Sequence, residues 1–96
     1  MKIRLTVDAE KDIEEIYCYS ASNFGENQAE LYYSGLSKHF AYILDNPNTG
    51  SNFSFVKESV FRSNYESHAI YYRQRKNGIL KLRILHQHMD PVRHMP

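Results

Sequence analysis

Ninety-six residues are enough for one domain, since separate cores need on the order of 100 residues each. The composition, 42% hydrophobic and 14% aromatic, excludes a disordered tail and permits a small core. Formal charge is only +1, twelve Lys and Arg against eleven Asp and Glu, which argues against a polybasic protein that coats nucleic acid. That balance hides a split: residues 1–48 hold four basic and eight acidic side chains, residues 49–96 eight and three. Halves of net −4 and +5 point to two surfaces with different partners.

The single cysteine, Cys18, cannot close an internal disulfide and leaves no CxxC metal site. The N-terminal run has no apolar stretch of signal-peptide length, and nothing approaches the roughly 20 apolar residues of a membrane span. The expectation is a cytoplasmic protein with no membrane association. Its thin stability margin, without staples, favours a permanent partner.

In chain order, Lys2 to Val7 alternates, with Ile3, Leu5 and Val7 on one side and Lys2, Arg4 and Thr6 on the other, which predicts a half-buried strand. Asp8 then stands where an N-cap belongs, with Glu10 and Asp12 placed well against the positive end of a helix dipole. Ala9, Ile13, Ile16, Tyr17 and Ser20 follow helical spacing up to Phe24-Gly25. A second helix is expected from Glu26-Asn27 to Asn46-Pro47, its stripe being Ala29, Tyr32 or Tyr33, Leu36, Phe40, Ile43 and Leu44. So short a connection makes an antiparallel hairpin. Its outer faces carry Glu14, Glu15, Glu26 and Glu30.

The run 48–52 is a loop by composition, and beyond it the period changes from helical to 2. Phe53 to Lys57 reads as a short edge strand, and Val60–Tyr65, His68–Arg75 and Ile79–His86 as an antiparallel meander. A three-residue loop, Lys76-Asn77-Gly78, with Gly78 at a left-handed bulge position, pairs Tyr72 with Leu82, Ile70 with Ile84, Arg73 with Lys81 and Tyr71 with Arg83. Burial selects that register because it segregates the faces. A two-residue turn at Glu66-Ser67 sets Phe61 beside Tyr72 and Arg62 beside Tyr71. One face, with Phe61, Ile70, Tyr72, Leu82 and Ile84, then packs under the helices. The other displays Arg62, Tyr71, Arg73, Lys81 and Arg83.

Four cations and a tyrosine on one face repel one another unless paired. Such a face is either an ordinary solvated surface protected against edge pairing or a docking groove for carboxylates or phosphate. The second reading is favoured here.

At this point the chain resembles the ParE toxins of the RelE/ParE superfamily of type II toxin–antitoxin systems, along nearly its whole length. The first half matches through Leu5-Thr6-Val7, Ala9, Asp12-Ile13, Ile16-Tyr17, Phe24-Gly25, Gln28-Ala29, Tyr32, Leu36, Phe40, Leu44, Pro47 and Gly50. The second half matches through the run Ser67 to Arg73 and the run Arg83-Ile84-Leu85-His86-Gln87-His88-Met89-Asp90, which is the most specific part. Glu66 stands where many relatives carry Gly. The resemblance implies an α+β fold of one ParE-like domain over residues 1–96: an N-terminal strand, a helical hairpin and a three- to four-stranded antiparallel sheet. It also implies a toxin that binds DNA gyrase and blocks replication. A ParD-like antitoxin would neutralise it by laying an acidic-apolar C-terminal segment against Arg62, Tyr71, Arg73, Lys81 and Arg83, forming a toxin–antitoxin hetero-oligomer. The tail residues His86, Met89, Asp90 and Arg93 are expected to touch either the target or the antitoxin. The short tail also reads as a cap over the core.

The competing reading is a ribosome-dependent mRNA endonuclease of the RelE type, in which Arg62, Arg73, Lys81 and Arg83 would clamp phosphate and His86 or His88 would move a proton. The register puts His86 on the buried side with Ile84, which argues against it. A third reading is a member of this fold that only binds its antitoxin. His68, His86 and His88 fall near one another, yet no carboxylate or thiol completes a metal set, so they read as structural histidines. No catalytic residue, cofactor or metal is expected, nor is sequence-specific binding to nucleic acid. Tyr17, Tyr19, Tyr32, Tyr33 and Tyr42 are more than one buried stripe can absorb, which assigns some of them to an interface.

Overall fold

The computed structural model describes residues 2–95, without the side chains of Lys2 and Leu82. The core position expected for Leu82 therefore lies outside the described residues. A strand β1 (Lys2–Leu5) leads into two long helices, α1 (Val7–Phe24) and α2 (Glu26–Asp45). A 3-10 turn (Pro47–Thr49) follows, then strands β2 (Ser51–Asn52), β3 (Phe61–Tyr65), β4 (His68–Arg75) and β5 (Gly78–His86), and a short helix α3 (Pro91–His94). The five strands form one sheet in the order β1-β5-β4-β3-β2. The sheet is mixed rather than antiparallel, because β1 runs parallel to β5, with Ile3 opposite Ile79 and Leu5 opposite Lys81. No helix among the described residues is long and apolar enough to cross a membrane.

The helical hairpin forms where the sequence predicts it. Thr6, not Asp8, caps α1: it is extended, and its hydroxyl accepts from the Ala9 amide at 3.0 Å. Val7 consequently begins the helix and is exposed, instead of continuing the alternation of Ile3 and Leu5. Asp8 and Glu10 sit in the first turn against the positive end of the dipole. Gly25 joins the helices at φ 92°, a conformation that costs any residue with a Cβ. Ala9 from α1 and Leu36, Phe40 and Ile43 from α2 bury onto Ile70, Tyr72, Ile79 and Ile84 of the sheet.

The turn at Glu66-Ser67 pairs Phe61 with Tyr72 and Arg62 with Tyr71, as the side chains predict. Glu66 takes φ 50°, a left-handed conformation that costs a residue with a Cβ and favours glycine. The expected strand over Phe53–Lys57 is replaced by turns, and the edge is the two-residue β2.

The last hairpin departs from the expected register in half its length. Tyr71 pairs with Arg83, Ile70 with Ile84 and His68 with His86, as expected. Nearer the turn, Tyr72 pairs with Lys81, Arg73 with Leu80 and Arg75 with Gly78. The extra residue is therefore Leu82, inside the strand, and not Gly78 at the tip. A bulge there reverses the facing of every residue between it and the turn. Ile79 joins the core, and Lys81 goes in with it.

Lys81 is 2% exposed, with its Nζ 3.0 Å from the centre of the Phe40 ring. Burial pulls its amine down from 10.5 to about 7, and the Phe40 π-face offsets only part of the desolvation. Between that value and the unfolded value of 10.5 the unfolded chain binds the extra proton, so stability rises with pH across this window. The gain from pH 7 to pH 9 is about 2 kcal/mol, readable as an upward shift in the urea midpoint. Lys81→Met should be more stable than the parent at pH 7 and should lose that slope. Gly50 makes a different demand. A Cβ there would collide with the Tyr72 hydroxyl, which donates to the Pro47 carbonyl at 2.8 Å. Gly50→Ala should cost about 1–3 kcal/mol in thermal denaturation, and adding Tyr72→Phe should recover part of it.

Candidate functional site

Along the outer edge of β5, β1 pairs only residues 78–81, and its last contact is the Thr6 amide on the Lys81 carbonyl at 3.1 Å. The chain then rises into α1, so β5 from Arg83 onward has no strand beside it. Asp12, one turn into α1 and 7% exposed, takes the vacant place. Its carboxylate accepts from the Ile84 amide at 2.9 Å and, bidentately, from Arg83 Nε at 2.8 Å and Nη2 at 2.9 Å. Arg83 Nη1 reaches on to the His94 carbonyl of α3 at 2.8 Å. The guanidinium thus ties α1, β5 and α3 together, and Asp12 raises its already high pKa.

Above this edge lies an open groove of about 1160 Å³, walled by α1 on one side and by the chain after β5 on the other. Its apolar lining is Ile16, Tyr19, Phe24, Ile84, Leu85 and Met89. Tyr19 and Phe24 are 65% and 66% exposed and pack edge to face, ring centres 6.4 Å apart. Two large rings held open to solvent at the mouth of a groove are characteristic of an interface. The polar lining includes Glu15, Gln28, His68 and His86. His68 and His86 rings are 5.6 Å apart, His86 and His88 5.0 Å, and Tyr32 Oη lies 2.6 Å from His68 Nδ1. Burial, then the neighbouring His86, pulls the pKa of His68 down; burial raises that of Tyr32. Among the described residues, no three His, Cys, Asp or Glu are grouped so as to hold a metal ion.

The face expected to be a continuous basic surface is divided. Tyr71, 1% exposed, is buried in a second small core with Val60, Ala69, Leu85 and Met95, packed by Phe53 and Val56. This corrects its placement on an open surface. The reason is that the segment after β2 and the end of the chain fold over this side of the sheet. Lys81 is on the opposite face altogether, for the reason of register given above. Arg62 remains half-buried, its guanidinium 5.2 Å from the Phe53 ring centre and 5.7 Å from that of Tyr71. Arg73 donates to the Glu58 carbonyl at 2.9 Å. Arg83 belongs to the groove, where His86 and Met89 join it. Asp90 caps α3 by accepting from the Val92 amide at 3.0 Å, and Arg93 is exposed on that helix. Sequence reasoning named neither Asp12 as the clamp nor Phe24 as a rim residue. The signal for Asp12 was an acid inside the buried stripe of Ala9, Ile13 and Ile16, where an unpaired charge does not survive.

Comparison with known proteins adds the family. Residues 3–91 match the model of the ParE toxin of the type II toxin–antitoxin system parDE. Toxin ParE1 of Caulobacter vibrioides is 28% identical over 92 residues, covering 96% of this chain and 95% of its own. Toxin ParE1 of Mycobacterium tuberculosis is 28% identical over 92 residues, covering 95% and 94%. A solved structure described as the chromosomal ParDE TA system from P. aeruginosa superposes with a TM-score of 0.75 at 19% identity, covering 90% of this chain and 95% of that one. At that identity the likeness concerns the fold.

The Asp12 clamp predicts a graded response. Asp12→Ala leaves a half-buried guanidinium and the Ile84 amide without their acceptor, and should cost about 3 kcal/mol in urea denaturation. Asp12→Asn keeps a neutral acceptor for the amide and should cost about half as much.

Proposed function

Because the chain belongs to the ParE toxin family of type II toxin–antitoxin systems, we propose that it inhibits DNA gyrase by binding, in the cytoplasm, and is neutralised by a ParD-like antitoxin. The observation that carries the antitoxin half of this reading is the groove beside the unpaired edge of β5. An acidic-apolar segment finds there the β5 edge beyond Ile84, whose own amide Asp12 takes, exposed Tyr19, Phe24 and Met89 to bury against, and His86 at its floor. Arg62 and Arg73, on the far face, supply cations for carboxylates that pass beyond the groove. Arg93, and the short helix that Asp90 caps, extend the surface offered to the target.

Binding rather than catalysis is supported by where the cations stand. A nuclease needs a free cationic clamp around the scissile phosphate. Lys81 is buried on the helix side, Arg83 is neutralised by Asp12, and Arg62 lies against Phe53 and Tyr71. Only Arg73 of the four expected cations keeps a charge without a carboxylate or ring beside it, and its Nε is tied to Glu58.

Two assays on the purified chain separate the readings. With gyrase and plasmid DNA, it should lower supercoiling and accumulate cleaved complex; with translating ribosomes, it should leave mRNA intact. Defined mRNA cuts with gyrase untouched would replace this reading by the endonuclease. A chain inert in both that still bound its antitoxin would be a binding-only member. In calorimetry with the antitoxin, Phe24→Asp or Met89→Asp should weaken binding at least tenfold. Arg73→Glu should weaken it less and in a salt-dependent way, and Lys11→Glu should leave it unchanged.

A further inference from the structure

Arg4 on β1, Arg75 at the end of β4 and Lys76 in the turn line a second concavity, of about 770 Å³, at the opposite end of β5 from the groove. The rest of its lining is Asn77, Gly78, Ile79 and Leu80, so no described lining residue is acidic and none is aromatic. All three cations are exposed, and among the described residues none of them has a hydrogen-bond or ion-pair partner. Three other sheet cations are held: Arg83 on Asp12, Arg62 on Asn64 and two rings, Arg73 on a carbonyl. Lys11, Lys38 and Arg93 are exposed as well, but they stand on three different helices and form no cluster. Strand geometry keeps the three spread apart. Arg4 and Arg75 stand on strands that flank β5, hence about 10 Å apart across the sheet.

We propose that this patch binds the phosphate backbone of duplex DNA, without reading its sequence. Three uncompensated cations on an open, shallow surface suit a polyanion better than a single phosphate ion, which needs an enclosing cradle of donors. Duplex DNA presents one charge per about 1.7 Å of axis, so cations spread over about 10 Å meet several phosphates together. The absence of any ring in the lining leaves unpaired bases nothing to stack on, which favours a duplex over single strands. An acidic peptide also needs large exposed apolar anchors; Ile79 is buried here, and exposed Tyr19, Phe24 and Met89 lie about 20 Å away, in the groove at the other end of β5. The two sites do not overlap, so the inference goes beyond the antitoxin and gyrase reading and holds whether or not that reading does.

The test is fluorescence anisotropy of a labelled 20-base-pair duplex, titrated with the purified chain alone in about 20–150 mM salt. Binding should be weak, with a Kd tighter than about 100 µM at the low-salt end. The slope of log K against log salt should be about −2.7, or 0.9 for each of three phosphates neutralised. The triple change Arg4→Glu, Arg75→Glu and Lys76→Glu should weaken binding more than tenfold and flatten the slope, with circular dichroism and melting unchanged. Each single change to Gln should reduce the slope by about 0.9, which reads the same site with milder variants. No binding to the duplex at low salt would overturn the proposal, as would binding that the triple change leaves intact. Tighter binding to a single strand of the same length would overturn it too. Equal or tighter binding to a poly-glutamate peptide would assign the patch to an acidic protein partner instead.

Discussion

One carboxylate does work that a missing length of strand would otherwise do. β1 is four residues long and β5 nine, so the sheet's central hairpin runs on past its parallel neighbour with one edge bare. A bare edge must be covered or its amides go unpaired. Asp12 covers it from the helix, taking the Ile84 amide and the Arg83 guanidinium at once. The geometry explains why an acid can sit inside an apolar helix stripe: each of its oxygens has a donor within 2.9 Å. It also explains why there is a groove. A longer β1 would have filled the space, whereas a side chain satisfies the edge without occupying it.

The bulge at Leu82 belongs to the same solution. Ile3 and Leu5 of β1 face the helices, and their parallel partners are Ile79 and Lys81. Matching β1 to β5 on the apolar side therefore brings the odd-numbered residues of that stretch inward, and Lys81 comes with Ile79. Farther along, Ile84 must face the helices as well, and only an extra residue reconciles the two demands. The cost is a lysine whose amine loses much of its affinity for protons. On the other side of the sheet, Tyr71 and Leu85 are left apolar and facing out, and the segment around Phe53 and the end of the chain close over them.

What the sequence made legible and what it hid follow the same line. The helices, their junction at Gly25 and the Glu66-Ser67 turn rest on spacing within a few residues, and each lies where expected. The distal half of the last hairpin was legible too, because Ile70 with Ile84 and Tyr71 with Arg83 leave one consistent register. The proximal half was not. Gly78, Leu80 and Leu82 alternate as convincingly as Ile79 and Lys81 do, and only the pairing with β1, some 75 residues distant in sequence, breaks the tie. The covering of Tyr71 escaped for a related reason. Phe53 and Val56 lie in a segment that reads as an edge strand but folds as turns, and Met95 in a short tail, so nothing local marks them as core. Of the residues expected at the site, Arg83 was placed on an open basic face and His86 and Met89 in the tail, whereas all three line the groove; Tyr71 and Lys81 are buried through those two effects.

The charge split by sequence halves dissolves at this level. Asp12, from the acidic half, is neutralised by Arg83, from the basic half, and Arg4, also from the acidic half, joins Arg75 and Lys76. Folding spends Arg62, Arg73, Lys81 and Arg83 on internal contacts and gathers three uncompensated cations at one end of β5. Glu14, Glu15, Glu26 and Glu30 stay on the exposed side of the hairpin. A net charge of +1 is thus compatible with an acidic helical surface, an apolar groove and a basic sheet end on one small molecule. Since Debye screening confines each of these fields to about 10 Å at 0.1 M salt, a partner docking at either end of β5 meets only the charges local to it. Separate surfaces on a domain this size therefore behave as independent sites, and the rigidity that Asp12 gives β5 keeps them at a fixed distance from each other.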